Sequence, residues 1–282
     1  NKGIAATAYT RVIREDDQQK GLLYAGTETG FYVSWNNGDA WTQFQMNLPV
    51  TPITDLKVHQ GNLLAATMGR AFWILDDLYM LRNYAKIKSG SGVQLYGPAT
   101  VYRVSGGSAL DGPVSDEEEG GRTAFSGVNA PAGVVFYYTI PEGSDSLHGS
   151  FTITNEKGEI VRAFADSANP KYIGFPGGPG AEPVFPRKAG LNRFVWDQRY
   201  AILPGVPTVF IEGSYEGHKA APGKYTATLK FGGSTQRHDL TILPDPRIKA
   251  TIADYQDQHE YLTRAENGVR DIHQAVLRMR VA

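Results

Sequence analysis

The sequence predicts a mainly β protein that ends in one long helix, and three observations support this prediction. First, 32 glycines and 15 tyrosines in 282 residues, with 11% aromatic residues, are typical of short strands joined by tight turns. Second, apolar and polar residues alternate in short runs between turn residues. Third, the apolar period near residue 251 lengthens to that of an amphipathic helix. We therefore expect β regions over residues 1–85 and 90–246 and a helix over 250–282.

The composition excludes several classes of function. The 28 basic and 29 acidic residues leave a net charge of −1, so no overall field draws the chain to nucleic acid or to an anionic membrane. The absence of cysteine excludes disulfides, thiolate catalysis and cysteine-ligated metals. The chain contains no run of about 18 apolar residues, so the sequence predicts no transmembrane helix. Because Asn1 stands where an initiator Met would be, we expect a processed product or a fragment.

The first region contains an internal repeat. Residues 22–34 align without gaps on residues 63–75, at an offset of 41 residues. The identical pairs are Leu22 and Leu63, Leu23 and Leu64, Ala25 and Ala66, and Phe31 and Phe72. The period is that of a β-propeller blade, a four-stranded sheet of about 40 to 50 residues that packs against neighbouring blades.

Seven strands are predicted in this region, over residues 8–15, 22–26, 31–35, 41–45, 53–58, 63–67 and 72–75. They make about two blades, whereas stable propellers typically have about four to eight. We therefore expect the other blades upstream of Asn1 in the same protein or on another chain, or these strands form a smaller structure than a propeller.

The stretch from Ser34 to Trp41, SWNNGDAW, predicts a tight turn. An Asn side chain can bond the backbone two residues on, Gly38 can adopt positive φ, and Trp41 can pack the turn onto the sheet. The stretch resembles the Asp-box, Ser-x-Asp-x-Gly-x-Thr-Trp, of sialidases and sortilin-type propellers. Asn36 and Ala40 depart from that motif. The resemblance implies a structural turn built on Ser34, Asn36, Gly38 and Trp41.

Two further stretches extend the resemblance to one family. Ala66–Leu78 (ATMGRAFWILDDL) looks like the closing blade of bacterial sortilin-like propeller proteins, which are often labelled glycosyl hydrolases, and Gly190–Tyr200 (GLNRFVWDQRY) is similar to their following immunoglobulin-like module. The resemblance implies a secreted, cell-surface or periplasmic bacterial protein. It also implies protein or glycan ligands and upstream blades as partners.

The second region predicts a β-sandwich of immunoglobulin or fibronectin type. A polar linker over Lys86–Gly92 precedes it. Strands are predicted over residues 134–140, 150–154, 159–164, 191–200 and 224–231. The side chains expected to share buried faces are Asn192, Phe194, Trp196 and Gln198, and Tyr225, Ala227, Leu229 and Phe231. The long stretches Gly106–Gly121 and Gly174–Pro186 are predicted to be surface loops.

The tail predicts one amphipathic helix. Thr251–Asp254 has the pattern of a capping box. An apolar stripe follows at spacings of three, four and seven, comprising Tyr255, Leu262, Ala265, Val269, Ile272, Val276 and Met279. Such a helix is too long to lie entirely on a small sandwich, so we expect half of a helical hairpin that continues beyond Ala282, or a partner helix for residues 251–280.

Candidate catalytic and metal-binding patterns are weak. His259-Glu260 begins like a zinc-protease motif, but Thr263 replaces the second histidine, so His259 is interpreted as an ordinary helix residue. Asp76 and Asp77 are adjacent on a strand end and point to opposite faces, which does not make a glycosidase pair. The acidic run 116–119 lacks the ligand spacing of a Ca²⁺ loop and is interpreted as a solvated charge run.

These observations favour a non-catalytic binding or scaffolding region without a cofactor or metal. We predict a ligand surface from Trp35, Arg70, Asp76 and Asp77, with packing between blades as the alternative role for Trp35. One alternative function is part of an exo-acting glycoside hydrolase whose active site lies in upstream blades. A second is a structural subunit of a cell-envelope assembly, suggested by the apolar stripe of the tail.

Overall fold

A computed structural model describes residues 2–90, 92–104, 131, 133–144, 146–209, 211 and 213–281. Within them the protein is mainly β with a C-terminal helix, and it divides into two units, Asn1–Ser89 and Gly90–Ala282. The predicted loop over 106–121, with its acidic run at 116–119, lies outside the described residues. None of the described helices is long and apolar enough to cross a membrane.

The first unit contains two antiparallel sheets formed by consecutive stretches of chain. The first sheet has the order β1-β2-β3-β4 and the second β5-β6-β7. Their bounds are β1 (Thr10–Glu15), β2 (Leu23–Thr27), β3 (Phe31–Ser34), β4 (Thr42–Gln43), β5 (Ile53–His59), β6 (Asn62–Thr67) and β7 (Phe72–Leu75). All seven predicted strands are present, although β4 is shorter than predicted. One apolar core includes Tyr24 and Val33 from the first sheet and Leu56 and Leu63 from the second.

Two short helices close the first unit, α1 (Tyr79–Arg82) and α2 (Tyr84–Ser89). The boundary between the two units lies within the predicted linker Lys86–Gly92, but the first four residues of that linker, Lys86 to Ser89, are helical. The physical reason is local: no glycine or proline interrupts residues 79–89, and the Tyr84 ring stacks on Trp35 with centroids 4.2 Å apart.

The second unit contains two further sheets that share one apolar core. Their orders are β13-β10-β8 and β12-β11-β14-β15-β9, with β15 parallel to β9 and the other pairs antiparallel. The bounds are β8 (Gln94–Tyr96), β9 (Thr100–Arg103), β10 (Val134–Ile140), β11 (Gly149–Asn155), β12 (Ile160–Ala165), β13 (Gly190–Trp196), β14 (Gly223–Phe231) and β15 (Ser234–Pro244). Phe136 of one sheet packs on Phe151 of the other at 5.1 Å between ring centroids.

The alternation predicted for β13 and β14 is confirmed, but three details of the second unit differ. Strands β8, β9 and β15 are additional. Strand β13 ends at Trp196 instead of Tyr200, because Gln198 adopts a φ of 62° that breaks the extended backbone. Residues 174–186 are not wholly a surface loop, since Phe185 is buried in the core and its N–H donates to the Ala165 carbonyl at 3.1 Å.

The C-terminal helix α3 runs from Ile252 to Val281. Its predicted capping box is confirmed, because the Thr251 N–H donates to Asp254 Oδ2 at 2.7 Å and the Asp254 N–H donates to Thr251 Oγ1 at 3.2 Å. The predicted buried stripe is only partly correct. Tyr255 is buried, whereas Ile272 and Met279 are 63% and 70% exposed.

The expectation that so long a helix would extend beyond the sandwich region is wrong, because contacts with residues 198–220 continue along it. His273 Nδ1 lies 2.6 Å from the Pro204 carbonyl oxygen, and Arg280 Nη1 donates to the Pro207 carbonyl at 2.6 Å. The helix packs on a segment rich in accessible carbonyl groups, so its buried face carries polar donors where the sequence pattern predicted aliphatic side chains.

Candidate functional site

The turn predicted from Ser34 to Trp41 is formed by side-chain hydrogen bonds. The Ser34 hydroxyl donates to Asn36 Oδ1 and accepts the Gly38 N–H, both at 2.9 Å. The Ala40 N–H donates to the same Asn36 oxygen at 3.0 Å, so Asn36 bonds four residues ahead and not two. Gly38 has a φ of 89°, a conformation that favours glycine. Trp41, 8% exposed, packs beside Ala25 and Tyr32.

This geometry explains why asparagine can replace aspartate in the turn. Asn36→Asp keeps the oxygen that accepts both bonds, and we expect a change in unfolding free energy of less than about 0.5 kcal/mol. Asn36→Leu removes the acceptor and should destabilise the first unit by about 1 to 2 kcal/mol. Urea denaturation followed by tryptophan fluorescence would measure both. Equal destabilisation by the two variants would contradict the assigned role.

The four residues predicted to form a ligand surface lie in different surroundings. Trp35 donates its indole N–H to the Leu81 carbonyl at 2.9 Å, and one face of its ring is covered by Tyr84. Its ring is therefore largely engaged within the first unit, which favours the packing role.

The charged members of that set lie at opposite ends of β7. Arg70 is exposed in the β6–β7 turn, where its carbonyl accepts the Trp73 indole N–H at 2.8 Å. Asp76 and Asp77 follow the other end of the strand, and Asp77 has a φ of 59°. The strand between them has four residues and spans about 10 Å at 3.3 Å per residue. Arg70 and the two aspartates are therefore separated by the length of this strand.

A cavity of about 570 Å³ in the second unit is lined by Arg162 and Asp197 and by residues 177–181 and 213–216. Arg162 is 3% exposed, and its guanidinium donates to Glu182 Oε2 at 2.9 Å and to Asp197 Oδ1 at 3.0 Å. Two salt bridges satisfy this buried charge. The arrangement is structural, because the one buried cation already has two carboxylate partners.

A cluster that the sequence interpretation missed lies between α3 and the segment before β14. We call Tyr200, His218, His259 and Glu266 the histidine cluster. Glu266 Oε1 lies 2.8 Å from His218 Nδ1 and accepts the His218 backbone N–H at 2.7 Å. His218 Nε2 lies 2.8 Å from His259 Nδ1, and the Tyr200 ring stacks on His218 with centroids 4.4 Å apart. The cluster holds the helix against the rest of the second unit.

The surroundings of the cluster shift the pKa values of its members. Burial, followed by the neighbouring His218, lowers the pKa of His259. Burial acts to raise the pKa of Glu266, but hydrogen bonds from His218 outweigh it and lower that pKa. Burial raises the pKa of Tyr200 to about 12. In the docked helix these shifts favour a neutral His259, an ionised Glu266 and a neutral Tyr200.

The sequence contains a periodic signal for this cluster. His259, Glu266 and His273 recur at intervals of seven, so they lie along one face of the helix, and Arg280 continues the series. A polar stripe at that spacing indicates a face that packs against polar groups. The partner residues His218 and Tyr200 could not be inferred, because they come from a segment without regular secondary structure.

Comparison with known proteins leaves the family open. No protein-family model and no curated protein matches the chain. Two solved structures align with it, and both are extracellular domains of BT4673 from B. thetaiotaomicron, described as a one component system and as a hybrid two component system. Each is 11% identical, with TM-scores of 0.22 and 0.20 over 87% and 89% of this chain. The chain spans only 26% and 31% of those structures, and likeness this low does not establish a shared fold.

Proposed function

We propose that this chain is a non-catalytic binding or scaffolding region of a secreted or cell-surface bacterial protein. In this proposal residues 1–85 are the closing blades of a β-propeller, and residues 90–246 are an immunoglobulin-like sandwich that acts as a spacer or docking surface. The ligand is a protein or a glycan, contacted at the rims of the blades where Arg70, Asp76 and Asp77 lie.

The observation that carries the proposal is the uncovered face of the second sheet. Phe72 and Ile74 on β7 are 82% and 61% exposed, and they pair with Ala66 and Leu64 of β6, which are half-buried. The opposite face of the same strands is packed in the core of the first unit. The outer face is apolar on β6 and β7, whereas β5 carries Asp55, Lys57 and His59 there. An exposed apolar strip beside charged residues is typical of a surface that packs against a neighbour.

The chemistry of the proposed occupant follows from the first sheet. That sheet covers the inner face of the second with aliphatic and aromatic side chains, and the two are related by the 41-residue repeat. A further sheet of the same kind would cover Phe72 and Ile74 in the same way. Its source is another part of the same polypeptide or a partner chain.

Site-specific photo-crosslinking in the producing bacterium tests this proposal. A photoreactive phenylalanine analogue at position 72 should crosslink to a β-rich segment of the natural polypeptide or of one partner, identified by mass spectrometry. The matched control is the same analogue at Ile160, which is 65% exposed on β12 of the second unit. Labelling at position 72 no stronger than at position 160 would contradict the proposed blade contact.

A further inference from the structure

The side of α3 that faces away from the histidine cluster carries a second apolar stripe. We call it the outer seam, and its members are Tyr261, Ala265, Gly268, Ile272, Ala275 and Met279. The spacings are four, three, four, three and four, a strict 3.5-residue period. The three large members are 65%, 63% and 70% exposed. A sustained period of 3.5 is typical of a coiled-coil contact between two helices.

The inner face of the helix is distinct from this seam. Tyr255, His259, Glu266, His273 and Arg280 contact the second unit or are buried against it. His259, Glu266, His273 and Arg280 are spaced by seven residues, so they share one heptad position. At 100° per residue this position lies roughly 130° around the helix axis from the centre of the outer seam. The contacts that dock α3 therefore hold the outer seam away from its own unit.

Charged residues flank the outer seam at seven-residue intervals and alternate in sign. They are Asp257, Arg264, Asp271 and Arg278, and all four are exposed. On the other flank the equivalent positions hold Leu262, Val269 and Val276. The charged flank occupies the position that sets partner choice and orientation in a coiled coil, and the apolar flank widens the seam.

The alternation of charge selects one mode of pairing with an identical helix. In an antiparallel pair in which Ala265 faces Gly268 of the second copy, Tyr261 faces Ile272 of the second copy. Arg264 then lies beside Asp271 of the second copy, and Asp257 lies beside Arg278 of the second copy. The small residues at the centre allow close approach, and the large apolar residues pack on both sides of it.

Other modes of pairing are disfavoured by the same residues. A shift of the antiparallel register by one heptad places Arg264 beside Arg264 or Arg278 of the second copy, and aspartate beside aspartate. Like charges in contact are destabilising. A parallel pair places the charged flank against Leu262, Val269 and Val276, where no ion pair can form.

We propose that α3 is an antiparallel self-association helix through which two copies of this chain join. The proposal goes beyond the binding role assigned above and is independent of the blade contact, because it concerns α3 alone. Its chemistry is specific: an apolar seam with small central residues and four symmetric Asp–Arg pairs.

Sedimentation equilibrium of the chain at low and high salt tests the proposal. We expect a dimer, and Ile272→Asp should abolish it without loss of helix content, because Ile272 does not contact its own unit through the seam. Arg264→Asp and Asp271→Arg should each weaken the dimer by about tenfold to a hundredfold, since each reverses two symmetric pairs. The double exchange Arg264→Asp with Asp271→Arg should restore it. Glu260→Arg, an exposed reversal outside the flank, is the control and should have no effect.

Orientation can be read separately because the chain has no cysteine. A mixture of Ala265→Cys and Gly268→Cys proteins should form a mixed disulfide in preference to either symmetric one. A monomer at all concentrations would overturn the proposal, including a monomer whose seam is covered by its own chain. A dimer indifferent to Ile272→Asp, or a symmetric disulfide at position 265 that predominates, would also overturn it.

Discussion

Replacing Asp16 by alanine should lower the unfolding free energy of the first unit by about 3 to 5 kcal/mol. The Asp16 carboxylate has no solvent exposure and accepts hydrogen bonds from Arg82 Nε at 2.9 Å and Tyr24 Oη at 2.7 Å. It also accepts the backbone N–H groups of Gln18 at 3.0 Å and Gln19 at 2.8 Å. Removing it leaves a nearly buried guanidinium and a fully buried phenol without this partner.

The large effect is expected because Asp16 links three parts of the unit. It follows β1, bonds a side chain of β2, and ties down α1, which comes after the second sheet. Burial opposes its ionisation, but the hydrogen bonds from Arg82 and Tyr24 outweigh burial and lower the pKa of Asp16. The stabilisation is therefore present above the unfolded pKa and is lost as pH falls through the lower folded value.

Asp17 provides a matched control. Its carboxylate also bonds Arg82, at 2.9 Å to Nη2, but its side chain is 50% exposed. Asp17→Ala should cost less than about 1 kcal/mol, as for exposed ion pairs. Urea denaturation followed by fluorescence suits the comparison, because Trp35, Trp41 and Trp73 all lie in the first unit. Similar losses for the two variants would show that burial of Asp16 does not set the magnitude.

The sequence predicts the sheets where one face is buried and the other is wet. Strand β14 alternates from Tyr225 to Phe231, and every residue predicted to face inward is buried. The repeat at 41 residues likewise predicts the hairpins β2–β3 and β6–β7. Alternation and turn chemistry are local properties, so a single sequence contains them.

Features that depend on distant partners could not be predicted. Strand β9 is short and pairs parallel to β15 through Thr100 and Thr241, which are far apart in the chain. The role of Trp35 depends on Tyr84, which belongs to a helix that the composition of residues 86–92 had concealed. Neither contact produces a periodic pattern in the sequence, because each involves only a few residues from each of the two segments.

The face of α3 that docks was predicted incorrectly for a different reason. Hydrophobic periodicity finds the apolar side of a helix, but the segment beneath α3 presents carbonyl groups and His218, so polar side chains bind there. The apolar side of α3 is therefore partly exposed to solvent. The observed polarity of the docking face leads directly to a pH dependence.

Acidification from pH 7.5 to pH 5 should weaken the docking of α3 on the second unit. His218 and His259 share one hydrogen bond between ring nitrogens, so the pair can hold a proton on one facing nitrogen only. Protonation of His259 places a positive charge in a partly buried site beside His218, and this opposes docking of the helix. This penalty should lower the amide-exchange protection of α3 by about tenfold, which corresponds to about 1.4 kcal/mol.

Docking of α3 weakens in acid because the pKa of His259 is lower in the docked helix than in the undocked one. The pKa of His259 is lowered in the docked helix by burial and by His218, while the charges of Glu159, Glu260 and Glu266 oppose this. The undocked histidine titrates near its ordinary value of about 6.5. Docking is therefore fully stabilised above that value and weakens as pH falls through the window between the ordinary and the lowered pKa.

His259→Asn separates titration from packing. An asparagine amide can still bond His218 Nε2 but carries no proton to lose or gain near neutrality, so protection corrected for intrinsic exchange should depend much less on pH. His148→Asn is the control, because it removes an exposed His–Asp pair elsewhere in the same unit and should leave the pH response of α3 intact. A pH profile of His259→Asn identical to that of the natural chain would contradict the role of His259, because the lowered pKa of Glu266 predicts weaker docking only in stronger acid.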